Sequence, residues 1–149
     1  MTIDEFLIEH LEPTLFEEPY FYFWVKTVLE AMELLGPETD DDLNRLRHLL
    51  LEYYTTDNIP AERIDDIPHE IVRLRGVSYW NDTSPLGLKY RCLNAVGSSI
   101  EANRADLDNW QYGIVTAFQL INLDQNKDRI LIERIREGVS KYIPPSPRT

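Results

Sequence analysis

Residues 19–35, PYFYFWVKTVLEAMELL, read as one helix whose apolar face covers most of its circumference. Phe21, Trp24, Val25, Val28, Met32 and Leu35 recur at helical spacing, and Tyr20, Phe23, Thr27, Ala31 and Leu34 widen that face. Only Tyr22, Lys26, Glu30 and Glu33 are left as a polar stripe, in steps of three and four, with Lys26 and Glu30 set as an i,i+4 pair. Pro19 suits a first helical turn, and Gly36 followed by Pro37 ends the run. Burying one aromatic or branched side chain contributes roughly 1.5–3 kcal/mol, so such a helix needs neighbours on several sides. It is predicted to be the central helix of the fold.

The flanking sequence supplies those neighbours. Thr2 and Glu5 form a capping-box pattern that opens a short helix carrying Ile3, Phe6, Leu7 and Leu11 inward, ended by Pro13. After the loop GPETDDD (36–42), Thr39 or Asp40 caps a third helix with Leu43, Leu46, Leu49, Leu50, Tyr53 and Tyr54 on its buried face and Asn44, Arg45, Arg47 and Glu52 outside. Pro60 starts a brief helix through Ile64, and Pro68 sits in the first turn of another that ends near Gly76, with Ile71, Val72 and Leu74 as its apolar content. Residues 77–85, VSYWNDTSP, read as an irregular loop. Ser84 and Pro85 begin a fifth long helix with Leu86, Tyr90, Leu93, Gly97 and Ile100 in one stripe, where Gly97 permits close helix approach. A sixth carries Leu107, Trp110, Ile114, Val115, Phe118 and Ile121, and a seventh Ile130, Leu131, Ile135, Val139 and Tyr142. No stretch alternates as a strand does, and no segment repeats another. The reading is a single all-α domain over residues 1–143, an irregular antiparallel bundle of about five long and two or three short helices, followed by a disordered Pro-rich tail, 144–149.

Composition bounds the function. Net charge is −11, and residues 1–75 hold 18 acids against 6 bases while residues 76–149 hold 8 against 9, so the whole acidic excess lies in the first half. That field repels nucleic acid, anionic lipid and phosphorylated substrates and speeds capture of a basic partner. The acidic N-terminus lacks the basic segment and apolar core of a secretory signal, the single Cys92 forms no internal disulfide, and no stretch reaches the roughly 20 apolar residues of a membrane span. A reduced, cytoplasmic protein is expected.

Three groupings look chemical and fail on geometry. Glu38, Asp40, Asp41 and Asp42 match the acids that favour a helix N-terminus, and no second acidic motif joins them as metal ligands. Asp124, Asn126 and Asp128 copy the opening of a calcium loop, but Arg129 stands where its glycine belongs and Ile135 where its glutamate belongs, leaving a capped helix junction. His10, His48 and His69 have no partner at ligand spacing, His48 is expected to bond a carbonyl or carboxylate, and Cys92 lies on an apolar helical face. No catalytic residue, cofactor or metal is assigned.

What is left is surface chemistry. Acids crowd residues 38–70, with Tyr53, Tyr54, Tyr79 and Trp80 near them in sequence. Carboxylates around aromatic anchors suit capture of a basic protein surface. The expected partner face is Asp40, Asp41, Asp42, Tyr54, Asp57, Glu62, Asp65, Asp66, Tyr79 and Trp80, with Tyr53 assigned to the core and Tyr54 and Trp80 open between core and anchor. In size, acidity, helical content and absence of catalytic machinery, the chain resembles the small acidic immunity proteins that bacteria make beside nuclease toxins of the colicin or contact-dependent-inhibition type. The resemblance implies a cytoplasmic protein that binds one cognate toxin tightly and blocks its basic active site or substrate surface. Three other readings stay open at this point: a phage or mobile-element inhibitor imitating DNA, a helical adaptor, and a helical enzyme.

Overall fold

The computed structural model describes residues 2–11, 18–55, 59–97, 107–123 and 127–142. They form α1 (Ile3–Leu11), α2 (Glu18–Ala31), α3 (Asp41–Thr55), α4 (Ala61–Asp65), α5 (Ile67–Arg75), α6 (Pro85–Gly97), α7 (Leu107–Ile121) and α8 (Asp128–Tyr142). Two 3-10 helices, Met32–Leu35 and Val77–Asn81, complete the order, and no strand occurs among the described residues. The fold is all-α. The expected tail at 144–149 lies outside the described residues, as do Glu101 to Ala105, Asp57, Asp124 and Asn126.

α2 holds the central position that its pattern predicts. It packs on α3, α6, α7 and α8, and Phe23, Trp24, Val25, Val28, Leu29 and Met32 are buried. Trp24 makes edge contacts with Phe23, ring centroids 4.9 Å apart, and with Phe118 of α7 at 6.4 Å. Such T-shaped arrangements match the ring quadrupoles. The Lys26–Glu30 pair forms at 3.9 Å on the outer edge. The last turn, Met32–Leu35, tightens to 3-10 geometry before Gly36.

A second internal helix accompanies it. Nine of the thirteen residues of α6 are buried, including Gly87, Lys89, Asn94 and Gly97, and α6 lies along the length of α7. The sequence shows one apolar stripe there because small and polar residues fill the other contacts. At Gly97 an added Cβ would lie 3.3 Å from Ile67 Cγ2, the close approach expected of that glycine.

Local caps follow the sequence closely. The Glu5 amide donates to Thr2 Oγ1 (3.2 Å) and the Thr2 amide to Glu5 Oε2 (3.4 Å), closing the capping box. Asp40 caps α3 through the Leu43 amide (2.7 Å), and Ser84 caps α6 through the Gly87 amide (3.1 Å). Asp128 has a longer reach than a junction cap: its Oδ1 accepts from the Ile3 amide (2.7 Å) and from Asn122 Nδ2 (3.2 Å), tying α1 to the start of α8.

Four expectations need correction. Residues 77–81 are an ordered 3-10 helix and not a loop, because Tyr79 enters the core and fixes the turn. Leu74 and Ile130 are exposed although their spacing assigned them to apolar faces. Arg47 turns back across α2, donating to Leu29 O (2.9 Å) and Glu33 Oε1 (2.7 Å). His48 is exposed, and the Glu52 carboxylate one helical turn on lies 4.0 Å away, beyond hydrogen-bond reach.

Candidate interaction face

The start of α3, the end of α5, the second 3-10 helix and the first turns of α6 meet in one polar network. Tyr90 donates its hydroxyl to Asp40 Oδ1 (2.6 Å), the Arg75 guanidinium lies 5.0 Å from the Tyr90 ring centre, and Arg75 pairs with Asp82 Oδ2 (3.2 Å). Asp82 also accepts from the Ser84 amide (2.9 Å) and hydroxyl (2.6 Å), while Arg91 donates to the Asp82 carbonyl (3.2 Å). The two Ser84 hydrogen bonds, followed by Arg75, hold the Asp82 carboxyl below its ordinary value. Burial, reinforced by the bond to Asp40 and its charge, raises the Tyr90 hydroxyl well above its own.

Beneath this network Lys89 is fully buried, its ammonium donating to Gly36 O (2.7 Å) and Glu38 O (2.8 Å). Lys127 reaches Leu34 O from the other side. Two cations therefore satisfy carbonyls at the C-terminal end of the central helix, where the helix dipole favours positive charge. Gly87 belongs to the same arrangement, since a Cβ there would strike the Asp82 carboxylate.

The expected partner residues separate into groups. Asp40 is spent on the α3 cap and Tyr90. Asp42 and Glu70 share Arg45, at 3.4 and 2.6 Å, and the bond to Glu70 raises the Arg45 guanidinium above its ordinary value. Asp66 pairs with Arg73 at 2.9 Å. Asp41, Glu62 and Asp65 are exposed. Asp41 and Glu62, with exposed Glu38, have no ion pair among the described residues. Tyr54 stands in the last turn of α3, its side chain outside the described set, and Asp57 is outside it altogether. Tyr53 is half-buried against the core, as assigned.

Tyr79 is a correction to the expected face. It is 2 % exposed, its hydroxyl has no hydrogen-bond partner among the described residues, and burial raises its hydroxyl above the ordinary value, so it anchors the turn from within. Trp80 is 52 % exposed and stacks at 4.7 Å on the Tyr79 ring with a tilt of 32°. In a 3-10 helix residues i and i+3 eclipse, so Val77, 73 % exposed, shares the outer face with Trp80. A loop reading of 77–85 does not single out Val77; its i,i+3 spacing to Trp80 is the available signal.

Among the described residues no three His, Cys, Asp or Glu side chains are arranged to hold a metal ion. Cys92 is fully buried with Sγ 3.5 Å from Ala117 O, and burial pushes its thiol up to about 12, which removes the thiolate a nucleophile needs. No helix among the described residues is long and apolar enough to cross a membrane. No protein family, curated protein or solved structure matches the chain.

Proposed function

We propose that the protein is a non-enzymatic binding protein that captures a basic protein through the Val77–Trp80 face and the acidic start of α3, in the manner of a cytoplasmic immunity protein that neutralises a nuclease toxin. The observation that carries this reading is the Val77, Trp80 pair held outward on a turn locked from within by Tyr79. A large aromatic fixed in an exposed position is the usual form of an interface anchor. Asp41 and Glu38 supply carboxylates with no ion pair among the described residues, and the first-half excess of charge supplies long-range steering. Imitation of DNA is less well supported, since Asp42, Asp66 and Glu70 are matched by Arg45 and Arg73 and do not make a stripe of unpaired negative charge.

The test is stopped-flow binding to the product of the adjacent gene where that product is basic. The association rate should fall steeply as salt is added, and Asp41→Lys should slow it further without unfolding the chain. Trp80→Ala should mainly speed dissociation, weakening affinity by about 2 kcal/mol or more. An association rate indifferent to salt, or full affinity in Trp80→Ala, would overturn the proposal.

A further inference from the structure

Asp82 closes the turn that carries Trp80, and its amide, its carbonyl and both carboxylate oxygens are all engaged. The amide donates to Tyr79 O (3.0 Å) within the 3-10 helix, and the carbonyl accepts from Arg91 of α6 (3.2 Å). One carboxylate oxygen takes the Ser84 amide and hydroxyl at 2.9 and 2.6 Å, and the other takes Arg75, the last residue of α5, at 3.2 Å. The Arg75–Asp82 bridge therefore spans residues 76–81 and ties the two ends of the turn together. α6 makes room for it. Gly87 stands in the first turn of that helix, where glycine is a poor helix former, and the place its Cβ would take is filled by the Asp82 carboxylate. Tyr79 holds the turn from within by burial, its hydroxyl having no hydrogen-bond partner among the described residues, so the polar fixation comes from Asp82.

We propose that Asp82 is the positioning residue for Trp80. It acts through the backbone of residues 77–81 and not by touching a partner, and this role rests on the reading of Val77 and Trp80 as the binding face. A turn held in advance leaves less ordering to be done on binding, and apparent affinity falls with the fraction of molecules in which the turn is formed. Because its carboxylate is committed to Arg75 and Ser84, Asp82 supplies orientation where the exposed Asp41 supplies charge.

The experiment is amide hydrogen exchange on the full chain. Asp82→Asn keeps the shape of the side chain and deletes the charge that pairs with Arg75. Protection of the amides at positions 79 and 82, which bond Gly76 O and Tyr79 O, should fall roughly tenfold or more. Arg75→Gln should do the same and the double variant little more, since both remove one bridge. Arg73→Gln, which breaks the Arg73–Asp66 pair on the same helix, should leave those two amides unchanged. Unaltered protection in Asp82→Asn overturns the proposal, and so does an equal loss in Arg73→Gln, which would reduce the effect to general destabilisation. In the stopped-flow measurement, Asp82→Asn should weaken binding roughly tenfold, and not at all once Trp80 is alanine. A loss that persists in the Trp80→Ala background would make Asp82 a direct charge contact and overturn its positioning role. Full affinity in Trp80→Ala overturns the binding face itself, while exchange still shows whether Asp82 holds the turn, so the two failures are told apart.

Discussion

Replacing Lys89 by methionine keeps the length and apolar stem of the side chain and deletes only the ammonium that bonds Gly36 O and Glu38 O. Two effects oppose each other. A hydrogen bond to a charged group contributes about 1.5–3 kcal/mol, so loss of both at 2.7 and 2.8 Å destabilises. Against this, Lys89 is 0 % exposed and no carboxylate among the described residues is bonded to it, so removing its charge relieves a desolvation cost of several kcal/mol. The carbonyls settle the balance. Glu38 is exposed and its carbonyl can regain water, while Gly36 is half-buried and its carbonyl regains little. The Gly36 carbonyl, left part-buried without its donor, falls within the roughly 1–3 kcal/mol cost of an unsatisfied buried acceptor, and the expected outcome is a net loss of about 2–3 kcal/mol. For a chain of this size that corresponds to a fall in Tm of about 5–10 °C. Urea titration at neutral pH is the assay, with an unchanged m-value showing that stability alone has moved. A change below about 1 kcal/mol, or a stabilised variant, would mean that burial of the charge outweighs its bonds and that the carbonyl clamp does not hold the loop.

Trp24→Ala should cost roughly 3–5 kcal/mol by chemical denaturation, since Trp24 is fully buried between Phe23 and Phe118; a cost below about 1 kcal/mol would remove α2 from the centre of the fold. Gly87→Ala should lower the melting temperature by displacing the Asp82 carboxylate, and adding Asp82→Ala should recover part of the loss; simple additivity in this double-mutant cycle would refute the contact. At alkaline pH stability should fall, because Tyr90 is raised above its ordinary 10.0 when folded, so above about pH 10 the unfolded chain has lost a proton that the folded chain retains. Cys92 acts with the same sign from about pH 9 towards 12. Urea midpoints across this range should decline less steeply in Tyr90→Phe, and an unchanged slope would show that Tyr90 is not the group responsible.

How legible each element was depends on which interactions formed it. The central helix, the Thr2–Glu5 capping box, the Asp40 and Ser84 caps and the close approach at Gly97 rest on local geometry that spacing reveals. Lys89 and Tyr79 were not legible in this way. A lysine reads as surface unless its acceptors are known, and those acceptors lie 53 and 51 residues away in sequence. Tyr79 and Trp80 are adjacent and chemically alike, yet the tight 3-10 turn sends one into the core and the other into solvent. The candidate face was therefore half legible: Trp80 and Asp41 stand outward as expected, Tyr79 does not, and Val77 was overlooked.

The same distinction separates two roles of acidity that the bare sequence merges. Steering acts at distances comparable with the Debye length of about 8 Å in physiological salt and responds to summed charge, whether or not a given carboxylate also touches an arginine. Contact acts after desolvation and needs a carboxylate that is not already satisfied. Asp42, Asp66 and Glu70 contribute to the first role while committed to Arg45 and Arg73, and reversing one of them would disturb an ion pair within the fold as well as the field outside it. Asp41 and Glu38 are exposed without such pairs among the described residues, at the start of α3 and in the loop before it, so they are available for both roles. Asp40 contributes to the first role and not to the second, since its carboxylate is divided between the Leu43 amide and the Tyr90 hydroxyl. The dense acid run at residues 40–42 is thus three different devices: a helix cap, an exposed charge and half of an internal ion bridge. Only the middle one is suited to touch a partner.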